Sequence, residues 1–388
     1  MHGHSVGIAW ARRGHLDFSG KNLVLIVDVR WHCVTRRVLE RQESFDQTGI
    51  AMHQRLSEAI MRNPQSVLLT HWRSPGDIVC LTAAVRDLAT NYPGRFAIHV
   101  GGSCSDLWEH NPHVVGVWGA RLPRNLPMIR VSYTSQLSLA NDLRLHFLTA
   151  FHRAIADQLG IPIPVLQPHG DLHLSADEKA TPPVPRRYWF FVAGGKADIV
   201  TKIWPTEFSQ RLVSLLVSNG VSVVQGGATF PGHRHPVLAG VESLVGKTSL
   251  RDVLRLIYHA EGVICPVTFA MHVAAAFHKP CVVIAGGREP WSWGSYSNSP
   301  DRHFGEECST VRVPHRFLHT QGTLDCCRDG GCWKTQLIAN PPWDKHDCVR
   351  PVTVSGGGLS PECLATITPD IVVDAVMSYY HDGTLWPL

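Results

Sequence analysis

Nowhere in this sequence does an apolar run approach the roughly 20 residues that a membrane-spanning helix requires. The longest early stretch, Leu23 to Val27, ends at Asp28 and Arg30. No small-residue cleavage pattern follows it, so no secretory signal is read and the cytoplasm is the expected compartment. Charge of one sign is scarce as well. Lys and Arg number 36 against 32 Asp and Glu, a formal charge of +4 that is too slight to demand a nucleic-acid partner yet suits an anionic ligand. Repeats of solenoid length are absent. Cysteine is thin in the first 250 residues, where only Cys33, Cys80 and Cys104 occur, and a cytosolic setting would keep such thiols reduced.

What is present is a chain of 388 residues, 44% hydrophobic, long enough for two domains with a core in each. The 33 Gly and 26 Pro are spread along it, which argues against a disordered or fibrous protein. The 23 His identify no metal site by number alone.

Strand-like and helix-like segments alternate from about residue 65. Ser66–Thr70 reads as a buried strand, and the turn Arg73-Ser-Pro-Gly-Asp77 leads to a helix over Ile78–Leu88. Phe96–Val100 is the next strand. Six prolines between Gly160 and Arg187 mark a connection between domains. Beyond it the alternation resumes with strands at Tyr188–Val192, Val221–Val224, Gly262–Cys265 and Cys281–Ala285. Helices fall between them at Pro205–Val217, Leu250–His259 and Ala270–Phe277. This is an α/β pattern of two Rossmann-like domains facing a cleft, with ligands expected at the carboxyl ends of the strands. The expected divisions are an amino-terminal extension over 1–64, with a strand at Leu23–Val29 and a helix at Gly49–Met61, a first domain over 65–180, a second over 181–300, and a cysteine-rich segment with a terminal helix over 301–388. That last helix, around Ile371–Met377, is expected to return onto the first domain.

Three patches carry a family resemblance: Gly76-Asp-Ile-Val-Cys-Leu-Thr-Ala-Ala-Val85, Lys202-Ile-Trp-Pro-Thr-Glu-Phe208, and Gly246-Lys-Thr-Ser-Leu250 continuing to Met271-His-Val-Ala-Ala-Ala276. In order and spacing the chain resembles glycosyltransferase family 9, the ADP-heptose heptosyltransferases of GT-B architecture, over about residues 65–300. The resemblance implies an inverting transfer of a sugar, heptose by preference, from a nucleoside diphosphate to an acceptor hydroxyl. No catalytic divalent metal is needed in that scheme. Asp77 is then the candidate general base, though an Asp at a helix start also serves as a cap. Lys202, just before a helix that Pro205 opens, is the candidate contact to the donor phosphates, with Lys196 as the alternative. Gly226 and Gly227 border the same cleft, as do Gly286 and Gly287. Thr268, Met271 and His272 complete the donor set.

The third patch departs from the family: where an acidic residue and a glycine are usual, Val267 and Phe269 stand. A second reading follows, a nucleotide-sugar or glycan-binding protein that has kept the fold and lost the chemistry. The acceptor is left open among glycan, protein and modified nucleic acid, and self-association is also open. Arg121, Arg124, Arg130, Arg144 and Arg153 in the first domain would suit an anionic acceptor, or are scattered surface charges.

Cysteine concentrates at the other end of the chain. Cys327, Cys332, Cys348 and Cys363 are separated by four, fifteen and fourteen residues, with Cys326 able to substitute for Cys327. Four thiolates on loop arms can enclose a structural Zn or Fe ion; buried free thiols and disulfides are the alternatives. The cluster is similar to that of the bacterial autotransporter heptosyltransferases, a branch with a cysteine-bound iron, although the first interval here is wider.

Overall fold

A computed structural model describes residues 63–119, 121–134, 145–196, 199–296, 312–332, 338–340, 345–356 and 358–386. The strand and helix expected in the first 62 residues lie outside that range, as do Arg144 and Cys308.

Two parallel sheets form the scaffold. In the first lobe the strands β1 (Gln65–His71), β2 (Phe96–Gly102), β3 (Gly116–Trp118) and β4 (Met128–Arg130) lie in the order β3-β2-β1-β4. Helix α1 (Pro75–Asn91) crosses from β1 to β2, and α2 (Phe147–Leu159) packs beside it. Val67, Leu68 and Leu69 of β1 are all buried, the continuous apolar run expected of a parallel strand covered on both faces.

The second lobe has six parallel strands. They are β5 (Trp189–Phe191), β6 (Val223–Gln225), β7 (Glu242–Ser243), β8 (Gly262–Pro266), β9 (Cys281–Gly286) and β10 (His315–His319), in the order β10-β9-β8-β5-β6-β7. Helices α3 (Thr206–Ser218), α4 (Leu250–His259) and α5 (Phe269–Ala276) connect them. Helix α4 begins with a reciprocal cap, in which Ser249 accepts from the Asp252 amide and Asp252 from the Ser249 amide.

The terminal helix α6 (Pro369–His381) does not return to the first lobe; it lies on α3 and β9 of the second. Its stripe of Val372, Val376, Tyr379 and Tyr380 buries against Trp189, Leu212 and Leu216. Trp189 Nε1 donates to Tyr380 Oη at 2.8 Å, and Tyr379 Oη donates to the Pro314 carbonyl at 2.7 Å. Two aromatic hydroxyls with partners only on the second sheet fix that choice. Among the described residues, no helix is long and apolar enough to cross a membrane.

The proline-rich connection is tied down along its length. Arg86 of α1 donates to the carbonyls of His169 at 2.9 Å and Gln167 at 3.1 Å, and Thr82 Oγ1 accepts from the Asp171 amide at 2.8 Å. Farther along, Arg251 of α4 grips Glu178 through two nitrogens at 2.6 Å. The center of this anchoring is Asp87, fully buried, which accepts from Arg86 at 2.8 Å, from His152 of α2 at 2.8 Å and from the Leu166 amide at 3.1 Å. Burial alone would raise the Asp87 carboxyl, but hydrogen bonds from His152 and Arg86 outweigh it and hold the group below its ordinary value.

Removing one member of such a buried set leaves the others uncompensated, so Asp87→Asn should cost about 3–5 kcal/mol in urea unfolding. Because the folded carboxyl titrates below the unfolded one, this advantage of the parent chain is complete above about pH 3.9 and disappears as pH falls through the folded value. A variant within experimental error of the parent at pH 7 would show that Asp87 does not hold the connection.

Candidate functional site

The site lies where the first turn of α1 meets the second lobe. Pro75 opens the helix at its first position after Ser74, so Asp77 falls inside the first turn rather than at the cap. Its carboxylate is spent on no backbone cap. Instead, Asp77 Oδ2 lies 3.2 Å from Nε2 of His71, the last residue of β1. His71 is anchored in turn, with Nδ1 2.8 Å from the carbonyl of Val131, the residue after β4. The ring is buried, edge-on to Phe151 with centroids 5.5 Å apart. Arg73 and Tyr133 flank Asp77 on the outer side: the guanidinium sits 5.4 Å over the ring, and burial raises the phenol.

Opposite Asp77 stands α5. Gly76 and His272 are so close that a Cβ on Gly76 would lie 3.0 Å from His272 Cδ2. His272 Nδ1 is 2.6 Å from Tyr296 Oη and 3.5 Å from Cys80 Sγ. Burial pushes the imidazole down to about 4, so it is neutral at pH 7. Thr268 is half-buried at the start of α5 and makes no side-chain cap bond, whereas Met271 is in the core at 1% exposure.

Lys202 ends a short turn and extends to Glu289, with Nζ 2.7 Å from Oε1, and to the Val267 carbonyl at 3.5 Å. Glu289 also contacts Arg288. Burial lowers the Lys202 amine, and the Glu289 carboxylate works against that lowering. Burial would raise Glu289, but Lys202 and Arg288 prevail and hold it low. Asp77 acts electrostatically on Lys202 and on His272, so carboxylate and ammonium from opposite lobes share one field. Lys196 meets the same helix start, its Nζ donating to Ser74 Oγ at 3.3 Å.

Glu289 is the residue that sequence reasoning passed over. It sits in the Gly286–Glu289 loop after β9, where a glycine pair was the visible signal. It brings a carboxylate to the lysine that touches Val267, the position at which the acidic residue is missing. Gly226 and Gly227 have packing duties: a Cβ on either would come within 2.1 Å of the Phe190 ring or 2.2 Å of the His235 ring. Arg121, Arg124 and Arg130 are exposed and Arg153 half-buried, on the loop before β4, on β4 and on α2.

The cysteines gather at the far side of the Gly286–Glu289 loop. Cys326, Cys327, Cys332, Cys348 and Cys363 line one small chamber with Gly287. Cys327 Sγ donates to the Thr320 carbonyl at 3.3 Å. Burial pushes the Cys332 thiol up to about 12, and Cys363, Cys326 and Cys348 act on it electrostatically. Among the described residues, no three His, Cys, Asp or Glu side chains stand in an arrangement that holds a metal ion. An open groove of about 600 Å³ lies at the opposite edge of the second sheet, beside Arg187, Lys279 and Trp386, where strands begin rather than end.

Residues 127–312 match the model of glycosyltransferase family 9 (heptosyltransferase). No curated protein matches the sequence. Among solved structures, the chain is similar to a family 9 glycosyltransferase from Veillonella parvula, with 12% identity and a TM-score of 0.56 over 82% of this chain and 97% of that one. It is similar to ADP-heptose LPS heptosyltransferase II of E. coli, with 16% identity and a TM-score of 0.51 over 83% and 100%. A third is TibC of enterotoxigenic E. coli, a dodecameric iron-containing heptosyltransferase in complex with ADP-D-β-D-heptose, with 17% identity and a TM-score of 0.55 over 82% and 76%. At these identities the structures share the fold.

If Glu289 keeps the half-buried Lys202 charged, Glu289→Gln should lower the amine further and expose more neutral nitrogen at pH 8. Acylation of Lys202 by an amine reagent, followed by peptide mass spectrometry, should then run measurably faster than in the parent. An unchanged rate would show that the pair is not electrostatically coupled.

Proposed function

We propose that this glycosyltransferase, which carries a family 9 domain over residues 127–312, is an inverting enzyme that moves a heptose from ADP-heptose to an acceptor hydroxyl. The observation that carries the reading is the meeting of Asp77 from one lobe with the Lys202–Glu289 pair from the other. ADP-heptose is supported by the heptosyltransferases that share the fold, one of them in complex with that donor.

In this reading Asp77 takes the proton of the acceptor hydroxyl as its oxygen attacks the anomeric carbon, and the diphosphate leaves from the opposite face. Lys202 faces the departing charge with Arg288 beside it, both half-buried, where a positioned cation can stabilise the charge that develops on the leaving group. Glu289 keeps Lys202 charged and directed. Val267 and Phe269 suggested a degenerate site; a carboxylate supplied by Glu289 favours the catalytic reading.

We also propose that the cysteine chamber takes a structural Zn or Fe ion through Cys326, Cys332, Cys348 and Cys363. Thiol-rich donor sets suit both metals. Cys326 replaces Cys327 in this set because Cys327 is engaged by a backbone carbonyl. The ion would supply folding energy to a segment rich in glycine and proline, and no step of the transfer passes through it.

Asp77→Ala should abolish transfer while ADP affinity stays within about twofold, whereas Lys202→Ala should weaken ADP binding by roughly 10- to 100-fold, as loss of a charge-assisted contact does. Calorimetry and a donor-turnover assay separate these outcomes, and an active Asp77→Ala enzyme rules out the base. For the chamber, elemental analysis of purified protein should find close to one Zn or Fe per chain. Cys332→Ser should lose the metal and the thermal stability that it confers, and metal-free protein of unchanged stability would remove the assignment.

A further inference from the structure

We infer that His71 is a positioning residue for Asp77: it shares one proton with Oδ2 and leaves Oδ1 as the oxygen that receives the acceptor's proton. The inference rests on the proposed role of Asp77 as base and adds to it the state in which that base works.

The argument is one of hydrogen-bond valence. A backbone carbonyl can only accept, so the 2.8 Å contact of His71 Nδ1 with the Val131 carbonyl requires the hydrogen to be on Nδ1. A neutral ring would then turn the bare lone pair of Nε2 toward Asp77 Oδ2, 3.2 Å away. Two lone pairs do not hold that contact in a buried place; a proton between them does. The imidazole cannot avoid the meeting by turning, because Phe151 and Tyr133 close on it at centroid distances of 5.5 and 6.3 Å. Its backbone is held as well: the His71 carbonyl accepts from the Ser103 amide at 3.1 Å, and the neighboring Thr70 carbonyl accepts from the Val131 amide at 2.9 Å. The other charged or titratable groups acting on or near Asp77 are Arg73, Cys80, Tyr133, Cys104, Lys202 and His272, and no hydrogen bond from any of them to the carboxylate is seen among the described residues.

With the shared proton on Nε2, the carboxylate keeps its charge and one free oxygen. During transfer the acceptor O–H bond breaks and its proton goes to Oδ1. The acceptor oxygen bonds to the anomeric carbon, and the bond from that carbon to the diphosphate oxygen breaks, its electron pair leaving with the nucleotide. His71 gives up no proton in this sequence. It aims the carboxylate and balances its charge, much as the carboxylate of a hydrolase triad orients the histidine beside it, with the roles exchanged.

The test compares His71→Ala, His71→Gln and Asp77→Ala in a donor–acceptor assay. His71→Ala should lower kcat by roughly 10- to 100-fold with donor KM within about twofold, the range typical of lost outer support to a reacting group. His71→Gln, whose amide can donate to Oδ2 from nearly the same place, should recover much of that loss. A protein-wide structural role would move KM and thermal midpoint together and would not favor Gln over Ala. Parental kcat in His71→Ala overturns the inference, as does equal loss in the two folded variants. Should the Ala variant fail to fold, the 15N spectrum of histidine-labelled parent protein decides, His71→Gln serving for assignment: a protonated Nε2 is expected, and a bare lone pair there overturns the proposal. An active Asp77→Ala enzyme instead removes the base itself, an outcome distinct from the failure of His71 alone.

Discussion

The site depends on the close approach of two helix starts from opposite lobes. Helix α1 presents Gly76 to His272 of α5, and only the missing side chain at residue 76 permits that distance. Because Asp77 is the next residue, the same contact sets how far its carboxylate stands from the second sheet. Lys202 answers from the turn before α3, and Lys196 reaches Ser74 across the same boundary. The lobes are therefore registered by sterics at Gly76 and by a hydrogen bond at Ser74.

Behind that boundary, a single loop serves two neighborhoods. Gly287 lines the cysteine chamber, and its carbonyl accepts from the Cys332 amide at 3.2 Å. Two residues later Glu289 holds Lys202. A change in the chamber would thus be felt at the lysine through a short stretch of backbone, which gives a segment far from the chemistry a mechanical reason to be stapled. Tight packing strengthens the link, since a Cβ on Gly287 would come 2.9 Å from Cys327 Sγ.

Much of this plan was legible because it is local. The alternation of strand and helix, and α4 at Leu250–His259 in particular, followed from hydrophobic period and capping residues. Strands β3, β4, β7 and β10 escaped notice: strands of two or three residues such as Glu242–Ser243 and Gly116–Trp118 have no period to read, and His315–His319 shows no alternation of apolar and polar residues. The C-terminal helix was recognizable as a helix, but its destination was not, since the partners of Tyr379 and Tyr380 lie up to 191 residues away in Trp189 and Pro314. Asp77 could be singled out from its turn, whereas His71 could not, because the Val131 carbonyl that receives its Nδ1 hydrogen is 60 residues downstream. Glu289 was hidden for the same reason, its meaning supplied by Lys202 and not by its neighbors.

The charges at the boundary bear on the diphosphate proposed to bind there. Lys196, Lys202, Arg288 and Arg73 bring four positive charges, and Asp77 and Glu289 bring two negative ones, a surplus of two before the proton that His71 shares is counted. Each cation has a local partner, so none is left bare in a buried place, which would be costly. A diphosphate adds negative charge where the cations outnumber the carboxylates, and Glu289 is the partner it must compete with for Lys202. Asp77 stands outside that competition because its own partner is His71. In the proposed reading, separate partners for Asp77 and Lys202 leave the two groups distinct, and the reacting carbon of a sugar linked to a diphosphate would lie between them.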